Sequence, residues 1–186
     1  PDFQPPDSLG YASDAHTGTA QWYSADSAPD EWTANVLGSN PKSVPAPPSL
    51  ITYYPVEAKR YETQTVLSNP ARVTTKESAP AFTVKSDRVV GGKRLIAFNV
   101  NSTRDALNLW YTMKTNGKLE TLSVDGKNVS VVPSDTWSII GQAIPKTGFN
   151  VEVGLSAGSN FEILVTDQTN SFPSDPALGL PTRPAD

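Results

Sequence analysis

The placement of proline limits where a regular sheet can form in this chain. Pro5, Pro6, Pro41, Pro45, Pro47, Pro48, Pro55, Pro70 and Pro80 punctuate the first 80 residues, and Pro173, Pro176, Pro181 and Pro184 fill the tail. Between residues 81 and 172 only Pro133 and Pro145 occur. Proline has no amide proton to give to a β-ladder, so the middle of the chain is where strands can pair.

That middle alternates as strands do. Ala81 to Val90 and Lys93 to Asn101 flank Gly91-Gly92, a two-residue hairpin signal. Leu107 to Lys114 and Lys118 to Val124 flank Asn116-Gly117, and Asp125-Gly126 leads into Asn128 to Val132. Phe149, Val151 and Val153 alternate with polar residues, as do Phe161, Ile163 and Val165 after the glycine-bounded turn at 154–158. Period two buries one face and wets the other. Ile163 is thus expected to face a core and Glu162 to face away. The pattern predicts an all-β fold, a β-sandwich of about seven to nine mostly antiparallel strands over residues 81–186, with the Pro-rich tail as its end.

The first 80 residues read as an extension packed on that sandwich, the whole making one folding unit. Ser8 to Ala15, His16-Thr17-Gly18 and Thr19 to Ser24 form a hairpin that carries Tyr11 and Trp22. Pro29-Asp30-Glu31-Trp32 opens one short helix through Leu37, with acids at its positive end, and Gly38 stops it. The Ser/Pro-rich stretch 39–50 is expected to be irregular.

Composition removes several function classes. Fifteen Lys and Arg against 19 Asp and Glu give a net charge of -4. The pairs Lys59-Arg60 and Lys93-Arg94 are isolated, so no basic face for nucleic acid is expected. There is no Cys, which excludes disulfides, thiolate metal sites and cysteine nucleophiles. No apolar run approaches the roughly 18 residues of a membrane span, so direct insertion is not expected. The opening Pro1-Asp2-Phe3-Gln4-Pro5-Pro6 has neither an initiator Met nor a signal peptide, and reads as cut from something longer.

Few residues point to chemistry. Gly154-Leu155-Ser156-Ala157-Gly158 matches G-x-S-x-G, the turn that presents a hydrolase serine when a strand runs into a helix. Here strand-like sequence follows, so a glycine-rich hairpin turn is the better reading. A serine hydrolase using Ser156 is kept as an alternative. His16 is the single histidine, beside Thr17-Gly18, and reads as a turn residue rather than a metal ligand. Asp87, Asp125, Glu152 and Asp167 lie in or beside strands, and sequence does not give their spacing. No metal site, catalytic residue or cofactor is expected in this chain. Trp22, Trp32, Trp110 and Trp137 are mostly expected to pack inside. Tyr53, Tyr54 and Trp137 are the candidates for a surface that binds sugar, the mark of a free carbohydrate- or peptidoglycan-binding module. The sequons at Asn101 and Asn128 are what a chain rich in Asn, Ser and Thr produces by chance.

One resemblance runs along the chain. Pro5-Pro6-Asp7-Ser8-Leu9-Gly10-Tyr11, Asp14-Ala15-His16-Thr17-Gly18-Thr19-Ala20-Gln21-Trp22 and Pro29-Asp30-Glu31-Trp32-Thr33 come first. Ser86-Asp87-Arg88, Gly91-Gly92-Lys93-Arg94 and Val124-Asp125-Gly126-Lys127 follow. Val165-Thr166-Asp167-Gln168 and Gly179-Leu180-Pro181-Thr182-Arg183-Pro184-Ala185-Asp186 close the series. In this order they resemble the segment after the last transmembrane helix of bacterial membrane-bound zinc aminopeptidases, metallopeptidase family twenty-eight. These are related to the endoplasmic-reticulum and vacuolar membrane metallopeptidases. Residues 39–80 fall outside the resemblance. It implies a non-catalytic C-terminal accessory domain on the periplasmic side of a bacterial inner membrane. Its partners would be the upstream peptidase and transmembrane domains of the same parent chain. Zinc is implied only for that upstream domain, and no position here matches its ligands.

Overall fold

A computed structural model describes residues 9–26, 29–38, 40–45, 65–72, 75 and 77–182. The fold is all-β and antiparallel, with one short α-helix. Two compact units divide the chain: residues 1–77 with 171–186, and residues 78–170.

The first unit holds a four-stranded sheet. Strands β1 (Leu9–Asp14) and β2 (Thr19–Ser24) form the expected hairpin, with Tyr11 opposite Trp22. Its turn closes through the Asp14 carboxylate, which accepts from the His16 and Thr17 amides at 2.8 and 3.3 Å. Helix α1 (Glu31–Leu37) starts where Asp30 accepts from the Thr33 amide at 2.6 Å, and Gly38 ends it. Strands β3 (Lys42–Pro45) and β4 (Thr65–Pro70) complete the order β1-β2-β4-β3. The expectation of an irregular 39–50 is therefore corrected at Lys42–Pro45. There β4 supplies a pairing partner that local sequence does not reveal.

The tail also differs from expectation, because it groups with this unit and not with the sandwich. Side-chain chemistry accounts for it. Trp22 and Trp32 are large apolar surfaces, and Phe172 meets both, with ring centroids 5.6 and 6.5 Å away. The Trp32 indole N–H, once buried, needs an acceptor and finds the Pro181 carbonyl at 3.0 Å.

The second unit is one sheet folded into two layers. Its strands are β5 (Ala81–Val90), β6 (Lys93–Asn101), β7 (Asn108–Val124), β8 (Lys127–Val129), β9 (Ser134–Gln142), β10 (Phe149–Ser156) and β11 (Glu162–Gln168). The path runs β11-β7-β10-β6-β5, with β8 and β9 also on β7. β5 and β6 meet at Gly91-Gly92 as expected. Both glycines have positive φ, 57° and 77°, which a tight hairpin requires.

Asn116-Gly117 is not a turn. β7 runs straight through it for 17 residues and changes layer there. Residues 108–114 pair with β9 and β11, while from Leu119, which still faces Ser134 of β9, the strand pairs with β10 and then also with β8. The corner is held from β10–β11. Thr115 donates to the Asn160 carbonyl at 2.7 Å, and Asn116 and Asn160 exchange backbone-to-side-chain bonds. Gly117 is required by close approach, since a Cβ there would lie 2.3 Å from Ser159 Oγ.

The core lies between the two layers. Ile96, Phe98 and Val100 of β6 and Val151, Val153 and Leu155 of β10 meet Leu109, Tyr111 and Met113 of β7. Phe161 closes on Phe98 at 5.8 Å. Ile163 and Val165 pack against this cluster, and Glu162 is exposed, as the alternation predicted. Burying each large side chain contributes about 1.5–3 kcal/mol. Burial pushes the Tyr111 hydroxyl well above the ordinary phenol range, and the Asp125 carboxylate adds to it.

Candidate functional site

The G-x-S-x-G segment lies at the end of β10. Ser156 is exposed, and its hydroxyl donates to Glu120 Oε1 at 3.4 Å. Lys93 Nζ sits 2.7 Å from the other oxygen of Glu120. β10 continues through a turn at Ala157-Gly158 into β11, so strand leads to strand. A nucleophile elbow needs a strained strand-to-helix turn and a base that takes the serine proton. Glu120 is a poor base here, because its hydrogen bond and charge pairing with Lys93 hold its carboxyl below the ordinary range. His16 belongs to the other compact unit, on an exposed hairpin turn.

The outward face of β5, β6 and β10 is polar. Asn99 and Asn150 are register partners on the side opposite the core residues Phe98, Val100 and Val151. The Asn99 amide donates to the Thr147 carbonyl at 3.0 Å and to Asn150 Oδ1 at 3.2 Å. Lys85 Nζ reaches the same Asn150 oxygen at 2.5 Å. The Asn150 backbone N–H donates to Asp125 Oδ1 at 2.9 Å. Arg88 and Glu152 pair at 3.5 Å beside them. These groups satisfy one another across three strands, so the face fastens the sheet.

At the other side of β5, Arg94 grips Asp87 through two nitrogens, at 2.9 and 2.6 Å, and also donates to the Ser159 carbonyl. This bond is the first cause of the lowered Asp87 carboxyl, with the Arg94 charge adding to it.

Sequence reasoning missed one buried ion pair. Asp167, on the core side of β11, is only 3% exposed at its side chain and takes Arg104 Nη2 at 2.5 Å. Ser102 donates to its second oxygen at 2.6 Å and accepts from the Arg104 amide at 3.1 Å. No sequence signal marks it, because Arg104 and Asp167 lie 63 residues apart. Ser102, read as part of a sequon, is a structural hydroxyl here.

Of the proposed sugar surface, Tyr53 and Tyr54 lie outside the described residues. Trp137 does not stand on an open face. It packs partly against the core, and its indole nitrogen is buried without a partner among the described residues. The reason is register: Trp137 sits opposite Met113, a core position of β7. Phe82 is the one aromatic among the exposed large hydrophobics described. An open concavity of ≈ 500 Å³ beside α1 is lined by Pro29, Ala34, Asn35, Leu37, Pro41 and Leu67. Among the described residues that line it, Asn35 carries the single polar side chain.

Among the described residues no group of three or more His, Cys, Asp or Glu converges, and no step through zinc is assigned to this chain. No described helix is long and apolar enough to cross a membrane. Comparison with protein-family models, curated proteins and solved structures gives no match.

Proposed function

We propose that this chain is a non-catalytic accessory module. By its resemblance it is the C-terminal extracytoplasmic domain of a membrane-anchored zinc aminopeptidase. In that role it packs on the upstream peptidase domain or shapes substrate access. Zinc, bound upstream, would supply the Lewis acid. This chain's residues would supply a rigid folded surface.

The observation that carries the non-catalytic reading is the engagement of the side chains that sequence singled out for chemistry. Ser156 points to a carboxylate already held by Lys93. Asp87 is held by Arg94 and Asp167 by Arg104. Ser156 and Asp87 join strands, and Asp167 holds the loop between β6 and β7. The in-order resemblance supplies the peptidase part of the reading.

The test is an assay of the purified chain on aminoacyl anilides and simple esters, with and without added zinc. Turnover at the blank rate for both wild type and Ser156→Ala is the expected result. Ester turnover that Ser156→Ala abolishes would overturn the reading in favour of a serine hydrolase.

A further inference from the structure

We propose that the free edge of β5 is a self-association surface, through which two copies of this chain pair antiparallel about a two-fold axis at Thr83. The inference is independent of the peptidase reading. Among the described residues β5 has one strand partner, β6, so its other edge offers unpaired backbone donors and acceptors.

The apolar surface is concentrated there. Four of the eight exposed large hydrophobics described, Phe82, Val84, Val89 and Val90, lie on this strand. Phe82 and Val84 stand opposite Val100 and Phe98 of β6, so they share the face of the buried core and form its uncovered margin. The Phe82 and Phe98 rings are 5.3 Å apart.

The side-chain order selects a second copy as the occupant. Antiparallel pairing requires opposed residues to share a face. With the axis at Thr83, Phe82 of each copy opposes Val84 of the other, an aromatic facing a β-branched residue on the core side. Thr83 faces Thr83 on the outer side. Both are favourable cross-strand pairs. Two uncovered core margins thereby cover each other.

The same strand limits the contact. Pro80 precedes it and donates no amide hydrogen bond. A bulge between Val84 and Ser86 breaks the register at Lys85. Asp87 and Arg88 then make the far half charged, and axes at either would oppose like charges. Pairing is confined to Ala81–Lys85. So short an edge falls below the roughly 1,000 Å² of a stable interface, which makes the dimer weak and concentration-dependent.

Sedimentation equilibrium of the 186-residue chain from micromolar to millimolar concentration tests this. Wild type is expected to rise from 19.9 kDa towards twice that mass. Val84→Lys, at a half-exposed site, is expected to stay monomeric with an unchanged circular dichroism spectrum. The control Val132→Lys, at the most exposed apolar position off this edge, is expected to associate as wild type does. Hydrogen exchange at residues 81–84 should slow as wild type is concentrated. Wild type monomeric throughout would overturn the proposal. Association that persists in Val84→Lys, or that leaves exchange at 81–84 unchanged, would overturn it as well.

Discussion

Asn116 and Asn160 hold each other across the corner of β7: the side-chain oxygen of each accepts the backbone N–H of the other, at 2.7 and 2.9 Å. These two bonds, with Thr115 on the Asn160 carbonyl, decide where one strand leaves the first layer and enters the second. Asn160→Ala removes one of them outright and frees the Asn116 amide. A loss of about 1–2 kcal/mol in urea unfolding is expected at so exposed a site. An unchanged midpoint would show that the corner is set by the core alone.

The neighbouring Gly117 gives a sharper test. A methyl group there meets Ser159 Oγ at 2.3 Å and Ser159 Cβ at 3.3 Å. Gly117→Ala should therefore cost about 1–3 kcal/mol. Ser159→Gly removes both contacting atoms, so the double variant should be more stable than the sum of the single effects predicts. Strict additivity would show that the two residues do not meet.

Strand β11 separates burial from exposure over two adjacent positions. Ile163 packs on the core and Glu162 is exposed. Ile163→Ala should cost about 2 kcal/mol, the low end for a side chain that is only partly covered. Glu162→Ala should cost under about 0.5 kcal/mol. Equal effects would mean the register with β7 is wrong by one residue.

Asp167 and Arg104 form the most buried ion pair described. Asp167→Ala removes the carboxylate that Arg104 and Ser102 share, leaving Ser102 only the Arg104 carbonyl at 2.6 Å and Arg104 the residue 167 carbonyl at 3.4 Å. A loss of about 1–3 kcal/mol is expected by thermal or chemical unfolding, since Arg104 is partly solvated. A loss near zero would show that water replaces the carboxylate there.

Acid should weaken the fold through exposed carboxylates as well. Asp87 is held below its ordinary value of 3.8 by the Arg94 hydrogen bond, and Glu120 below 4.5 by Lys93. A depressed carboxyl stabilises the folded chain fully above its unfolded value. That stabilisation is lost as pH falls from the unfolded value through the folded one, so the loss begins in the ordinary carboxylate range and is complete below the folded value. Both pairs are solvated, so each contribution is small and screened by salt. Asp87→Asn should flatten the fall of Tm on acidification, and high salt should shrink the difference from wild type. An identical acid profile would remove Asp87 from the account.

Local pattern was enough to read some elements from sequence and not others. β5 and β6 were legible because alternation and the Gly91-Gly92 turn point the same way. Helix α1 was legible because Asp30 caps it and Gly38 stops it. The Asn116-Gly117 pair misled, since its partner is Asn160, 44 residues on, and a local turn signal lost to that tertiary contact. β9 went unseen because Trp137, Ile139 and Ile140 break strict alternation after Pro133, and only pairing with β7 makes them a strand. β3 and the tail depend likewise on distant partners, β4 and Trp32. Of the candidate site, Ser156 was legible as a hairpin residue. Its link through Glu120 to Lys93 joins three strands, and spacing does not encode it.

An immunoblot of fractionated source cells, with antibody raised against this chain, tests the proposed role most directly. The account predicts a membrane-bound band far larger than 19.9 kDa, from which the same antibody precipitates zinc-dependent aminopeptidase activity. A soluble band near 19.9 kDa without that activity would contradict it.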